Sequence, residues 1–531
     1  MVKETGLPLE VMRFGVAVAL CLGAGPSLLA AGTVDAASPN GRLRSSVAWR
    51  HYNQTESRWL VPLLKEAIAF QTVGGNAAEL DKQRAWLTKV AGELGLTVRD
   101  AGLITEIELP GPPGAPVLGL LVHGDVQAAE ASWWSSPPFA GELRDGEVWG
   151  RGAADDKGPL IQALLAMKAL AASSLPRTHS IRLLVGSDEE STNKDITTYL
   201  KDHPAPDYSL VLDSAFPLVV GEKAWNSLTV SADPGERDGK PEDLPYTIAK
   251  AQAGLATSIV PDEARLSLKW KRGAPDWEPV MRRFRSKELS EGTRLHLDAT
   301  GADLSVMVSG HSAHAGANLE VGRNALVGLA RVCEGEVPSS GVGDLLAFAA
   351  MAGEDIYGTG LEISDRDPVW GRYAVNVATL KPGENGRLDL TINVRRIPPR
   401  TGPELKAHLE RVVAAFNART GARLLPSGFY DDEPLIFALD APLIRRLQAI
   451  YARTTGRADA PIVSGGATYA KRLPNAIAFG MWFPGKPYPG HDVDEHIAVA
   501  DLNLGVHVLL EALADLASGP RVVDPFGALS P

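Results

Sequence analysis

Three short apolar runs, each ending on acidic or imidazole side chains, constrain this chain more than any other feature. Val117 to Val122 (VLGLLV) runs into His123-Gly124-Asp125, Ile181 to Val185 (IRLLV) into Gly186-Ser187-Asp188-Glu189-Glu190, and Leu210 to Leu212 into Asp213. Continuous apolar runs of this length, separated by helical patterns such as 160–172, predict strands of a mainly parallel sheet with crossover helices. In an open α/β sheet, ligands bind at the carboxyl ends of the strands. That edge receives polar groups three times here. A fourth strand is predicted over Ala476 to Phe479, before a Gly- and Pro-rich loop carrying His491.

The texture changes between Trp225 and Thr420. Segments such as Arg265–Trp270 (RLSLKW), Asp303–Val308 (DLSVMV) and Arg387–Val394 (RLDLTINV) alternate apolar and polar residues. That period predicts half-exposed antiparallel strands. The resulting plan is an α/β fold, a mixed, mainly parallel sheet flanked by helices, interrupted by an inserted α+β domain. Its expected parts are 38–224 and 421–520 for the first domain, 225–420 for the insert, and 521–531 for a tail.

Residues 1–37 stand apart. Lys3 and Arg13 precede an apolar stretch from Phe14 to Gly32, broken by Pro26 and followed by small residues. This is the layout of a cleaved secretory signal, so export to the periplasm or medium is expected, with no lasting membrane contact. The two cysteines are Cys21 and Cys333, and removal of the signal leaves a single thiol. No intramolecular disulfide can then form, and any metal must be held by imidazoles and carboxylates. With 53 Lys+Arg against 64 Asp+Glu, the net charge is −11. An acidic chain without basic clusters argues against a nucleic-acid partner.

The candidates for chemistry are His123, Asp125, Asp155 (in GRGAADDKG), Glu189, Glu190, Asp213 and His491. Singly they are ordinary: a hydrogen-bonded His-x-Asp pair, a turn into a helix, a solvated Glu-Glu. Converging at one sheet edge, imidazoles and carboxylates without thiolates suit a catalytic divalent-metal site. Two ions about 3.5–4 Å apart would need a bridging carboxylate. In an extended strand residues i and i+2 share a face, so the Asp125 carboxylate is expected to reach the His123 imidazole and fix its tautomer. The Glu189-Glu190 pair allows one carboxylate to hold metal while the other takes a proton. Gly310-His311-Ser312-Ala313-His314 does not complete a nucleophile elbow, and neither HExxH nor a Walker-type loop occurs.

The motifs LLVHGDVQ, VWGRGAADDKGP, VGSDEES, LDSAFPLVVGEKA, SGHSAHAG, INVRRIP, SGGATYAKRLPNAIAFG and HDVDEH, in this order, resemble those of the M20 di-zinc metallopeptidases. Within that family the chain looks most like the peptidase V branch of dipeptidases, related to carnosinase. The resemblance implies His123 and Asp213 on one zinc, Glu190 and His491 on the other, and Asp155 bridging, with manganese or cobalt as alternative metals. It implies Glu189 as general base, Asp125 orienting His123, a cis bond between Asp155 and Asp156, His314 stabilising an oxyanion, and Arg395 (or the adjacent Arg396) gripping the substrate carboxylate. It further implies a ferredoxin-like lid resembling two fused units, a monomer, and hydrolysis of dipeptides or short peptides by an activated water. An N-acyl amino acid deacylase on the same site and a catalytically silent binding protein are the competing readings.

Overall fold

The computed structural model describes residues 46–235, 244–488 and 490–527. The expected export signal therefore lies outside the described residues. In chain order the strands that matter are β1 (Thr97–Ala101), β2 (Ile104–Leu109), β3 (Val117–His123), β4 (Ser180–Gly186) and β5 (Tyr208–Val211). Then come β6 (Ala224–Ala232), β7 (Tyr246–Ala253), β8 (Glu263–Trp270), β9 (Arg294–Thr300) and β10 (Asp303–Ser309). Last are β11 (Ala374–Pro382), β12 (Leu388–Arg396), β13 (Leu425–Asp432) and β14 (Ala476–Ala478).

The first sheet has the order β1-β2-β4-β3-β5-β14. Its β4-β3, β3-β5 and β5-β14 pairs are parallel, while β1-β2 and β2-β4 are antiparallel. The continuous apolar runs are explained by what covers them. Leu118, Leu120, Val122, Leu183 and Leu210 pack into a core with the helices Lys157–Ala172 and Val499–Ser518. Leu121, Leu184 and Val211 point the other way, onto Ile196, Tyr199, Tyr469 and Leu473. Both faces are buried, so alternation has no reason to appear.

The second sheet has the order β9-β10-β8-β7-β11-β12-β6-β13, and every pairing is antiparallel. Here one face packs on helices and the other does not, so burial alternates: Leu304, Val306 and Val308 are fully buried while their neighbours are not. This sheet closes a core of its own, running from Leu228 to Leu424. Its half β11-β12-β6-β13, with helices Gly341–Ala352 and Gly402–Thr420 between the strands, has the ferredoxin-like order. The other half, β9-β10-β8-β7, shows the same order with its last strand supplied from ahead of the first.

One boundary differs from expectation. β13, expected in the returning part of the first domain, pairs with β6 from Trp225↔Asp432 to Ser231↔Leu425. It is a largely exposed edge strand, so its sequence carries little apolar alternation.

Candidate metal centre

The carboxyl ends of the parallel strands converge as the topology requires. β3 ends on His123, the loop after β4 carries Glu189 and Glu190, the residue after Leu212 is Asp213, and the loop following β14 reaches His491. Two groups of donor atoms gather there, each with all its atoms within 4.8 Å of one another: His123, Asp155 and Asp213, and Asp155, Glu190 and His491. Asp155 belongs to both. Its Oδ1 lies 3.0 Å from His123 Nε2, and its Oδ2 lies 3.2 Å from His491 Nε2. His491 Nε2 is also 3.0 Å from Glu190 Oε2, and Asp213 Oδ2 is 3.9 Å from His123 Nε2. Glu189 belongs to neither group and lines the adjoining cleft.

The donors fit divalent cations. Two imidazoles and three carboxylates are hard or borderline ligands of the kind zinc accepts. Burial and the neighbouring carboxylates push Asp213 and Glu189 well above the usual carboxylate range. Burial alone would lower the two imidazoles, but the acids around them outweigh it: His123 is raised well above its ordinary value and His491 to about 10. The cluster thus carries more negative charge than it can keep without cations or protons.

Three further carboxylates shape the loops that present the donors. Asp125 was expected to meet the His123 imidazole through its carboxylate. Instead its backbone carbonyl lies 2.9 Å from His123 Nδ1, with the carboxylate at 3.6 Å. β3 ends at His123, and side chains two residues apart are aligned on one face only within a strand. The Asp125 carboxylate accepts the backbone N–H groups of Glu189 (3.3 Å) and Glu190 (3.1 Å) instead. Asp195 takes the preceding two, from Ser187 (2.8 Å) and Asp188 (3.0 Å). Four consecutive amides, 187 to 190, are thereby held by two buried acids. Glu495 does the same for the Asp155 loop, accepting from Gly152 (3.1 Å), Ala154 (2.8 Å) and Asp155 (3.1 Å) and pairing with Arg151 (2.9 Å). The Asp155–Asp156 bond is cis, and Asp156 accepts the His123 backbone N–H (3.1 Å).

Sequence reasoning missed Asp195, Glu495, Gln127 and Tyr488. Gln127 donates to Glu190 (3.0 Å) and the Tyr488 hydroxyl to Asp155 (2.5 Å). Glu495 stood inside HDVDEH, beside the expected ligand. Gln127 stood at the end of LLVHGDVQ, two residues after Asp125, and Asp195 a few residues past VGSDEES, whereas the partner of Tyr488 is more than 300 residues away.

The cluster opens on a cleft of about 1920 Å³ between the two sheets, lined on the far side by Trp225, His314 and Arg395. His314 Nδ1 accepts the N–H groups of Gly316 (3.1 Å) and Ala317 (2.8 Å). A nitrogen that accepts twice carries no proton, so the neutral ring keeps its proton on Nε2. Burial, with the nearby His491 and Arg395, holds His314 well below the ordinary histidine range, which keeps it neutral. Arg395 is buried, its Nε donates to Asn393 (3.1 Å), and its Nη1 has no partner among the described residues. Burial pushes it down to about 9 against the pull of Asp432 and Glu222. Arg396, by contrast, is spent on Asn226 (3.1 Å), Asp431 (3.2 Å), Glu433 (2.7 Å) and the Arg400 carbonyl. The structure thus separates the adjacent arginines: Arg395 lines the cleft and Arg396 braces the sheet edge.

Known proteins resemble this chain in sequence and in fold. The chain is 29% identical over 405 residues to the Beta-Ala-Xaa dipeptidase of Lactobacillus delbrueckii subsp. lactis, covering 75% of this chain and 82% of that one. Its fold is similar to human carnosine dipeptidase 1 (TM-score 0.56, 14% identity, 89% of this chain and 99% of that chain). It is equally similar to the di-peptidase Dug1p of Saccharomyces cerevisiae (TM-score 0.56, 12% identity, 88% and 98%). The profile of Peptidase family M20/M25/M40 matches residues 119–515, a span that holds every donor of the cluster, and the chain belongs to that family.

Proposed function

We propose that this chain is a metal-dependent dipeptidase that cleaves the single peptide bond of a substrate whose free carboxylate rests on Arg395. The observation that carries the reading is the pairing, across one cleft, of the donor cluster with a buried guanidinium that has an unpartnered N–H. A planar fork of donors suits a carboxylate, and fixing the substrate's terminus on the far wall limits how many residues fit before the cluster. The relatives named as dipeptidases support the same reading.

His123, Asp155 and Asp213 would hold one divalent cation, and Asp155, Glu190 and His491 a second, with zinc the metal we favour. Bound there, the pair would supply Lewis acidity for activating a water and polarising the scissile carbonyl. The chain's own groups do the rest. Glu189, held in its loop by Asp125, accepts the proton of the attacking water and returns it to the leaving amine. His314 presents Nε2–H to the oxygen on which charge develops. Asp125, Asp195 and Glu495 keep the donor loops from rearranging as charge moves. Both halves of this machinery come from one chain, which supports action as a monomer. We further propose, from the sequence of 1–37 alone, that the enzyme is exported.

The test is hydrolysis of unmodified dipeptides beside N-acetyl amino acids by metal-reconstituted protein, with a chelator control. Turnover of dipeptides that chelation abolishes is expected. Clear preference for acylated substrates would make it a deacylase, and no turnover of either would leave a non-catalytic binder.

A further inference from the structure

The far wall of the cleft carries a second uncommitted cation. Trp225 in β6 pairs with Arg395 in β12 and with Asp432 in β13, and directly opposed residues share a face of the sheet. Lys223 lies just ahead of β6, two residues before Trp225, and lines the same cleft, whereas Glu222 does not. Glu222 turns away to accept the Thr468 backbone N–H (3.2 Å) and hydroxyl (2.8 Å), while Lys223, Trp225, Arg395 and Asp432 all line the cleft.

Among the described residues Lys223 has a partner for only one of its N–H groups, the Arg372 carbonyl at 2.6 Å. Among the described residues it forms no ion pair; the exposed Glu320 on the rim attracts it from a distance, and Arg395 repels it. Asp432 is already taken, paired with Lys471 (3.3 Å) and bidentately with Arg472 (2.6 and 3.1 Å). Of the four Lys and Arg side chains that line the cleft, Arg472 is bonded to Asp432 and Lys486 to Asp501, which among the described residues leaves Arg395 and Lys223 without a bonded acid. A substrate carboxylate on Arg395 leaves Lys223 still without a bonded acid.

We infer that Lys223 forms a subsite for a second carboxylate, so that the preferred substrates are dipeptides whose C-terminal residue is aspartate or glutamate. This rests on the dipeptidase reading and deepens it. Lys223 precedes Trp225 by two residues, a span of at most about 7 Å of chain. That offset suits a side-chain carboxylate a few bonds from the terminal one. Alanyl-asparagine and alanyl-glutamine have the same shapes without the charge.

The experiment compares kcat/KM for alanyl-aspartate with alanyl-asparagine, and for alanyl-glutamate with alanyl-glutamine, in the wild type, Lys223→Met and Lys223→Glu. The wild type is expected to favour the acidic member at least tenfold. Lys223→Met should cut that ratio below threefold, and Lys223→Glu should turn preference toward alanyl-lysine. A merely structural Lys223, holding the Arg372 carbonyl, would lower both members alike and leave the ratio intact. That result, or a wild-type ratio near one, overturns the subsite while leaving the dipeptidase standing. Failure of the metal-loaded wild type to cleave any of these peptides overturns both.

Discussion

At the scale of single residues, adjacent side chains of the same type have different work because their surroundings differ. Glu190 points into the donor cluster and Glu189 into the cleft. Glu189→Gln is therefore expected to retain bound metal, measured by elemental analysis, while kcat on a dipeptide falls at least ~10²-fold. Loss of metal together with activity would instead make Glu189 a ligand. The arginine pair divides in the same way. Arg395→Met should reduce kcat/KM by about 30- to 100-fold, the worth of a charge-assisted contact. The loss should not add to that caused by amidating the substrate's terminus, since both remove the same interaction. Arg396→Met should lower the melting temperature instead, because its partners Asp431 and Glu433 are protein groups. The motif INVRRIP puts Arg395 first, by resemblance, with Arg396 as its neighbouring alternative. The physical ground for that order is that the Arg396 guanidinium already has acids to bind.

At the scale of elements, the donors are delivered by loops, and the loops are held by acids that touch no donor atom directly. The amides of 187–190 rest on Asp195 and Asp125, and those of 152, 154 and 155 on Glu495. Asp125→Ala removes the acceptor for the Glu189 and Glu190 amides. A 10- to 100-fold weaker metal affinity is expected, read by competition with a chromophoric chelator. Unchanged affinity would show that the loop is fixed without it. The strands themselves were readable in advance, because a run buried on both faces and a run buried on one leave different periods in the sequence. β13 was misplaced because an exposed edge strand leaves neither.

At the scale of the whole molecule, the two sheets meet where the chain crosses between them, and the crossing is laced with buried charge. Leu435–Ile436 pairs with Gly221 and Glu222, and Lys471 and Arg472 hold Asp432 at the end of β13. Burial pushes the Glu222 carboxyl up to about 7, against Lys471 and Thr468, which favour its charge. An acid whose folded value is raised stabilises the fold below its unfolded value and loses that contribution as pH rises through the folded one. Between pH 5 and 8 the melting temperature of Glu222→Gln should therefore gain on the wild type, with each pKa unit worth about 1.4 kcal/mol. A constant difference across that range would rule this out. Metal removal acts on the same scale. Cations that bind only the folded cluster must displace protons from His123 and His491, so chelation should lower the melting temperature, and metal affinity should rise from pH 6 to 8. The sequence by itself determined the chemistry available, which residue types stand at the ends of which strands, because apolar period and strand-end position are local properties. It also determined the two-sheet plan. Only the tertiary structure decided that the Asp125 carboxylate bonds the amides of Glu189 and Glu190, and that Arg395 and Lys223, without a bonded acid among the described residues, line one cleft. Each of those depends on what a side chain finds across tens or hundreds of residues of intervening chain, and no local pattern records that.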